Sequence, residues 1–333
     1  MKKSVTAGID IGGTKIALAL ENPAGERVAS RRVPTQADLG PDRVLSNIHR
    51  ALEEMLAETQ TEPVAVGLVS PGPIDIERGL VLSPTNLPNW DEFPIVELVE
   101  KKLGVPVIFD NDANAAALGE YFEGAGRGFR DIFYVTISTG IGGAIILDGQ
   151  LYHGVGAGAG EFGHSIVDPD GIICGCGTRG CLETIASGRN IARRTREKLA
   201  RSDGNSLICQ LVAGPDEITT QAVVEAVRAN DPVATEVWNE TVFYLAVGIG
   251  NAITILAPEA VVIGGGVTAV GDLLFEPLGK QITKNVNNAP IEKIKILKAS
   301  LGSQSGVFGA LRMARQGLQK RGVHFDANRI IGV

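Results

Sequence analysis

Three of the four cysteines in this 333-residue chain, Cys174, Cys176 and Cys181, crowd into one short stretch, and His164 lies just upstream. Gly175, Gly177 and Gly180 interleave the thiols, as a chain requires when it wraps tightly round an ion. Clustered thiols in a reducing compartment point to metal before disulfide. His164 and three thiolates make a closed tetrahedral Cys3His set suited to structural zinc, with no open position for chemistry at the metal. The competing interpretation is three inert, buried thiols in a glycine-rich loop. Cys209 stands alone in "SLICQLV" and is expected to be a packed core thiol.

A second group of residues has the chemistry of a phosphate site. Gly12-Gly13, residues 140–143 (Gly-Ile-Gly-Gly) and Gly264-Gly265-Gly266 each follow an apolar run. Glycine turns after strands let backbone N–H groups approach phosphate oxygens. Neither of the first two turns fits the P-loop or the Rossmann fingerprint, because each leads into another strand rather than a helix. Asp10 interrupts an apolar strand just before Gly12, where magnesium is a natural partner, although a strand-end Asp bonding turn amides is equally consistent with the local sequence. In "FDNDANAAALGE", Asp110, Asn111 and Asp112 sit between a strand and a helix. One such residue serves as a helix N-cap, and three are more than a cap needs. Asp112 is then a candidate general base. Glu161 and Glu183 flank the metal loop and, with His164, offer acceptors to a polyhydroxyl ligand, or are simply solvated charges.

The elements that must position these groups form a repeat. Strand, glycine turn, strand, turn, strand is read from "TAGIDIGG" through "ERVASRRV", and again from "DIFYVTISTG" through "QLYHGV". Helices are expected at about 41–59, 94–103, 113–122, 188–201, 219–229, 233–257 and 305–319. Strands are expected at 64–70, 105–109, 260–266 and 294–300, and the tail after Gly322 has no clear period. The repeat implies two similar mixed α/β domains facing each other across a cleft. No low-complexity linker separates them, and the break is placed near 113–130.

Composition narrows the class. Hydrophobic residues are 44% and charged residues 21%, ordinary for a globular chain large enough for two domains. A formal net charge of −7 disfavours nucleic acid as a partner. Residues 241–258 carry no charge, but Asn251, Thr254 and flanking acids identify a buried core helix rather than a membrane span. No secretory signal is visible, so a cytoplasmic location is expected.

The motifs "DIGGTK", "SPGPID", "PTNLPNW", "DNDANAAALGE", "STGIGG", "GAGEFGH", "CGCGTRGCLETIASG" and "VIGGG", in this order, resemble the ROK family of bacterial sugar kinases and repressors, over residues 5–320. The resemblance implies two ribonuclease-H-like domains of the actin/hexokinase type, with boundaries at 1–117 plus 303–333 and at 118–302. It implies an ATP-dependent sugar kinase, with the glucokinases most similar. Asp112 matches the base for the sugar 6-hydroxyl. Gly72, Asn86, Asn111, Glu161, His164 and Glu183 match sugar-binding positions. Asp10, Gly12, Gly13, Thr14 and Lys15 match the first phosphate turn, and Ser138, Thr139, Gly140 and Gly142 the second. Gly264, Gly265 and Gly266 match the stretch beside the adenosine. His164, Cys174, Cys176 and Cys181 match a structural zinc site, with His164 touching metal and sugar through its two ring nitrogens. ATP, Mg2+ and structural Zn2+ are the implied cofactors, a hexose the partner, and a homodimer the assembly. Glucose is favoured because Glu161 and Glu183 suit free hydroxyls at C1 and C2. Other hexoses or N-acetylhexosamines are the alternatives within the kinases. A sugar-sensing repressor is the rival class, disfavoured because no helix-turn-helix precedes the first strand. Ala144 and Ser70 depart from the family pattern, where glycine and alanine are common.

Overall fold

The computed structural model describes residues 2–84, 86–202, 206–325 and 330–332. Two compact units emerge. The first comprises Met1–Gly128, His153–Ala157 and Leu301–Val333, and the second Phe129–Tyr152 and Gly158–Ser300.

In chain order the first unit has β1 (Lys3–Ile11), β2 (Lys15–Glu21), β3 (Arg27–Pro34), α1 (Pro41–Thr59), β4 (Thr61–Ser70), the short β5 (Ile74–Asp75) and β6 (Leu80–Val81), α2 (Ile95–Leu103), β7 (Val107–Asn111) and α3 (Asp112–Glu123). The second has β8 (Ile132–Ile137), β9 (Ile141–Leu147), β10 (Gln150–Leu151), α4 (Glu183–Ala186), α5 (Gly188–Leu199), α6 (Ile208–Leu211), α7 (Thr220–Arg228), α8 (Pro232–Leu256), β11 (Ala260–Gly264), α9 (Asp272–Asn285) and β12 (Lys295–Lys298). The chain then contributes α10 (Ser305–Lys320), β13 (Val323–Phe325) and β14 (Ile330–Gly332) to the first unit.

The repeat is explicit in the sheets. The first runs β3-β2-β1-β4-β7 and the second β10-β9-β8-β11-β12. In each, a three-stranded antiparallel meander is extended by two parallel strands. The third strand of the second repeat is only two residues long. The strand expected over 260–266 ends at Gly264, because Gly265 turns to φ 89. Helix α9 lies in a stretch where the sequence reading proposed no element.

Each unit buries its own core. In the first, Ile9, Ile11, Leu18, Leu20 and Leu68 of the sheet pack with Ile48, Leu52 and Met55 of α1. In the second, Phe133, Val135, Val261 and Ile263 pack with Trp238, Leu245, Ile249 and Ile253 of α8. Helix α8 is long and apolar enough to cross a membrane by length and composition, yet its buried face belongs to this core. Asp231 caps it, accepting from Ala234 N–H at 2.9 Å. Cys209 is exposed, contrary to the expected core position. On α6 its neighbour Ile208 takes the buried face, and adjacent helical residues point about 100° apart.

Glycines let α10 approach the first sheet and α3 closely. A Cβ on Gly67 would lie 1.7 Å from the Ala310 carbonyl oxygen, and one on Gly309 1.7 Å from that of Ala115. Both obstacles are backbone, so little can yield. Gly309→Ala is expected to cost about 1–3 kcal/mol or more of overpacking. Gly279→Ala, in α9 with nothing within 4 Å of the new methyl, is expected to gain about 0.5–1 kcal/mol from helix propensity. Urea midpoints of the two variants check this, and equal midpoints would contradict it.

Candidate active-site residues

In the first unit, the β1–β2 hairpin closes when Gly12 N–H donates to the Lys15 carbonyl at 3.0 Å. Thr35 braces it from outside: its N–H donates to Thr14 O at 3.0 Å and its hydroxyl to Gly12 O at 2.6 Å. A Cβ on Gly13 would meet Asn86 Cβ at 3.1 Å, so Asn86 stands against this turn. Thr14 and Lys15 are exposed at its tip. Asp10 pairs with Ala17 and Val69 in the sheet, and its carboxylate packs against Gly306 at the start of α10. Burial, then the negative charge of Asp112, lifts its pKa to about 7, against the opposing pull of Lys15 and Arg32. A nearby cation would restore its ionised form. One half-buried carboxylate beside a phosphate-type turn also fits magnesium, which keeps several waters and is held by one or two carboxylates.

At the β7–α3 junction the three polar residues divide their roles. Asn111 is the N-cap, its side chain accepting from Asn114 N–H at 2.7 Å. Asp110 is buried; it accepts from Asn111 N–H at 2.8 Å and Asn114 Nδ2 at 2.7 Å, and pairs with His153 Nε2 at 2.7 Å. The hydrogen bond to Asp110 raises the His153 pKa, against the effect of burial. Asp112 is the exposed member of the trio, at the first position of α3, and accepts from Ala113 N–H at 2.9 Å. His153 escaped the sequence reading, and no local pattern marks it, because its partner lies 43 positions away. Gly72 is exposed in the loop after β4.

In the second unit, Ser138 N–H donates to Gly140 O at 2.8 Å to close the β8–β9 turn. Ala144 is fully buried opposite Tyr134 in an unbroken β9, so the departure from glycine leaves the turn intact. A Cβ on Gly265 would lie 2.3 Å from Ile137 O, which ties the third glycine run to the end of β8. A cavity of about 930 Å³ is lined by Ser138, Thr139 and Gly266 together with Gly188, Thr220 and Arg228. Its volume is that of a drug-sized ligand site. The α5 and α7 residues of that wall were not anticipated. Their signal is tertiary: the N-termini of two helices brought to one turn.

His164 Nδ1 lies 3.6 Å from Cys174 Sγ, and Cys176 Sγ lies 3.7 Å from Cys181 Sγ. All four donor atoms are within 4.8 Å of one another. Zn–S bonds of about 2.3 Å in a tetrahedron put sulfurs about 3.8 Å apart, so the set fits zinc. Gly177 and Gly180 adopt φ of 88° and 78°, where only glycine is comfortable. Hydrogen bonds from Thr178 pull the Cys176 thiol down to about 6, while burial and the neighbouring thiols push Cys181 up to about 12. His164 Nε2 faces Glu161 at 3.9 Å, so these two sugar candidates come together. Glu183 does something the sequence did not foretell: it accepts from Ile141 N–H at 2.8 Å, on the second glycine turn.

The model of the ROK family matches residues 6–317. A glucokinase from Halalkalibacterium halodurans is 36% identical over 316 residues, covering 93% of this chain and 94% of that protein. A ROK family glucokinase from Streptomyces griseus, solved in complex with glucose and AMPPNP, is 35% identical with a TM-score of 0.78, covering 94% of this chain and all of that one. A ROK hexokinase from Thermus thermophilus is 32% identical with a TM-score of 0.83, covering 95% and 99%. The fold is therefore the two-unit α/β architecture of the actin/hexokinase type.

Proposed function

The chain belongs to the ROK family, and on that premise we propose that it is a glucokinase, transferring the γ-phosphoryl group of ATP to the 6-hydroxyl of glucose. The observation that carries this reading is its likeness, across 94% of the chain, to a glucokinase solved with glucose and AMPPNP.

The roles follow from the chemistry of each group. Asp112 orients the 6-hydroxyl and accepts its proton as the O–P bond forms and ADP departs. Its exposure supports this, since a base must reach its substrate. Gly72, Asn86, Asn111, Glu161, His164 and Glu183 match positions suited to the remaining hydroxyls. The β1–β2 turn with Asp10, Gly12, Gly13, Thr14 and Lys15 takes donor phosphates. So does the β8–β9 turn with Ser138, Thr139, Gly140 and Gly142. Gly264, Gly265 and Gly266 border the nucleoside, and the cavity beside them supports that placement. Asp10 would hold Mg2+, which neutralises phosphate charge. His164, Cys174, Cys176 and Cys181 would hold Zn2+, which fixes the loop and leaves His164 Nε2 for the sugar. Positioning and electrostatics supply most of the acceleration in such a transfer.

A cytoplasmic homodimer completes the reading. Four free cysteines suit a reducing compartment. Ile166, Ile172 and Ile173 of the metal loop and Phe243 of α8 are exposed apolar residues of the kind found at subunit contacts.

ADP release with Mg-ATP, compared as kcat/KM over glucose, mannose, fructose, allose, N-acetylglucosamine and N-acetylmannosamine, tests the function. Glucose is expected to lead. Another leading sugar would overturn the specificity alone, and no sugar-stimulated turnover would overturn the kinase.

A further inference from the structure

We propose that Glu183 is a positioning residue for the donor-phosphate turn, acting through the turn's backbone in addition to any contact with sugar. This rests on the kinase reading above. Within the β8–β9 turn, Ser138 N–H donates to Gly140 O. Three further bonds to it come from a single stretch of chain. Gly188 N–H donates to Ser138 O at 2.8 Å, and Arg189 N–H to Thr139 O at 3.4 Å. Glu183 Oε2 accepts from Ile141 N–H at 2.8 Å. Residues 183–189 thus grip two carbonyls on the leading side of the turn and the amide on its trailing side.

The carboxylate also covers Gly140. A Cβ there would lie 2.5 Å from Glu183 Oε2. A side chain at 140 would therefore push the Glu183 carboxylate off the turn. The Glu183 side chain is itself held in place. It is only 17% exposed, its second oxygen lies 3.9 Å from Arg189 Nη2, and Asn190 Nδ2 donates to the Glu183 carbonyl at 2.8 Å. Stripping the acceptor from a half-buried backbone N–H bonded to a carboxylate leaves that donor unsatisfied and the turn loose.

Two consequences follow. Glu183 stands two residues after Cys181, so one short segment carries both a metal-ligating thiol and the brace of the turn. If its other oxygen accepts a sugar hydroxyl, sugar and nucleotide are coupled through one side chain, and that coupling is reciprocal.

The test separates the brace from the sugar contact by leaving sugar out. Affinity for Mg-AMPPNP is measured by calorimetry on the full chain, without sugar, for wild type, Glu183→Ala and Glu183→Gln. Glutamine keeps an acceptor oxygen and loses the charge. Alanine is expected to weaken binding about tenfold, the scale of a lost charge-assisted hydrogen bond, and glutamine to remain within about threefold of wild type. Should Glu183→Ala fail to fold, Glu183→Asp, whose shorter side chain keeps the charge but withdraws the carboxylate from Ile141 N–H, is expected to give a comparable loss. Wild-type nucleotide affinity in Glu183→Ala, with only the glucose KM raised, would overturn the proposal and leave the kinase reading standing. No AMPPNP binding by the wild type would remove both.

Discussion

Replacing Asp112 by asparagine is expected to lower kcat by about 10²–10⁴-fold, the usual contribution of a positioned general base. The amide has nearly the same shape, and its oxygen can still accept from Ala113 N–H at the start of α3. The local fold should therefore survive, and glucose affinity measured by calorimetry should stay within about tenfold. This combination distinguishes loss of the base from loss of the pocket. A kcat near that of wild type would remove Asp112 from the mechanism.

The second large effect is expected from Cys176→Ser. Structural zinc contributes about 10–16 kcal/mol to the folding of isolated zinc-finger peptides, an upper bound here. The loop already has backbone support: Cys174 N–H donates to Thr178 O at 2.8 Å, and Gly180 N–H to Ile172 O at 2.9 Å. The net loss is smaller for that reason, but still about 2 kcal/mol or more, which lowers the unfolding midpoint by about 3 °C or more. Elemental analysis should find the metal lost. The glucose KM should rise, because the ring of His164 is aimed by its Nδ1 contact with the thiols while Nε2 faces Glu161. Stoichiometric zinc retained in the variant would refute the ligand assignment.

The two kinds of site differed in how far they could be read from sequence. The cluster of thiol and imidazole donors was legible because they are rare residue types at short spacing, and chain geometry alone keeps Cys174, Cys176 and Cys181 close. The glycine turns were legible as a repeated pattern, and the two sheets carry that repeat in their strand orders. At the β7–α3 junction, sequence counted three polar residues for one cap. The assignment of Asn111 to the cap, Asp110 to His153 and Asp112 to the surface needed the distant strap at His153, which no local periodicity encodes.

By itself, the sequence determined what is set by residue chemistry and short-range geometry: the clustering of the donors His164, Cys174, Cys176 and Cys181, the positions of the turns, and an acid where β7 meets α3. Only the tertiary structure decided what depends on chain segments far apart in sequence. It placed the Glu183 carboxylate on the turn at Ile141, built the cavity wall from α5 and α7, and left Cys209 exposed. The physical reason is the same in each case. A backbone N–H, a cavity wall or a buried face takes its partner from whatever the packed core brings within reach, and that core is assembled from contacts the local sequence does not contain.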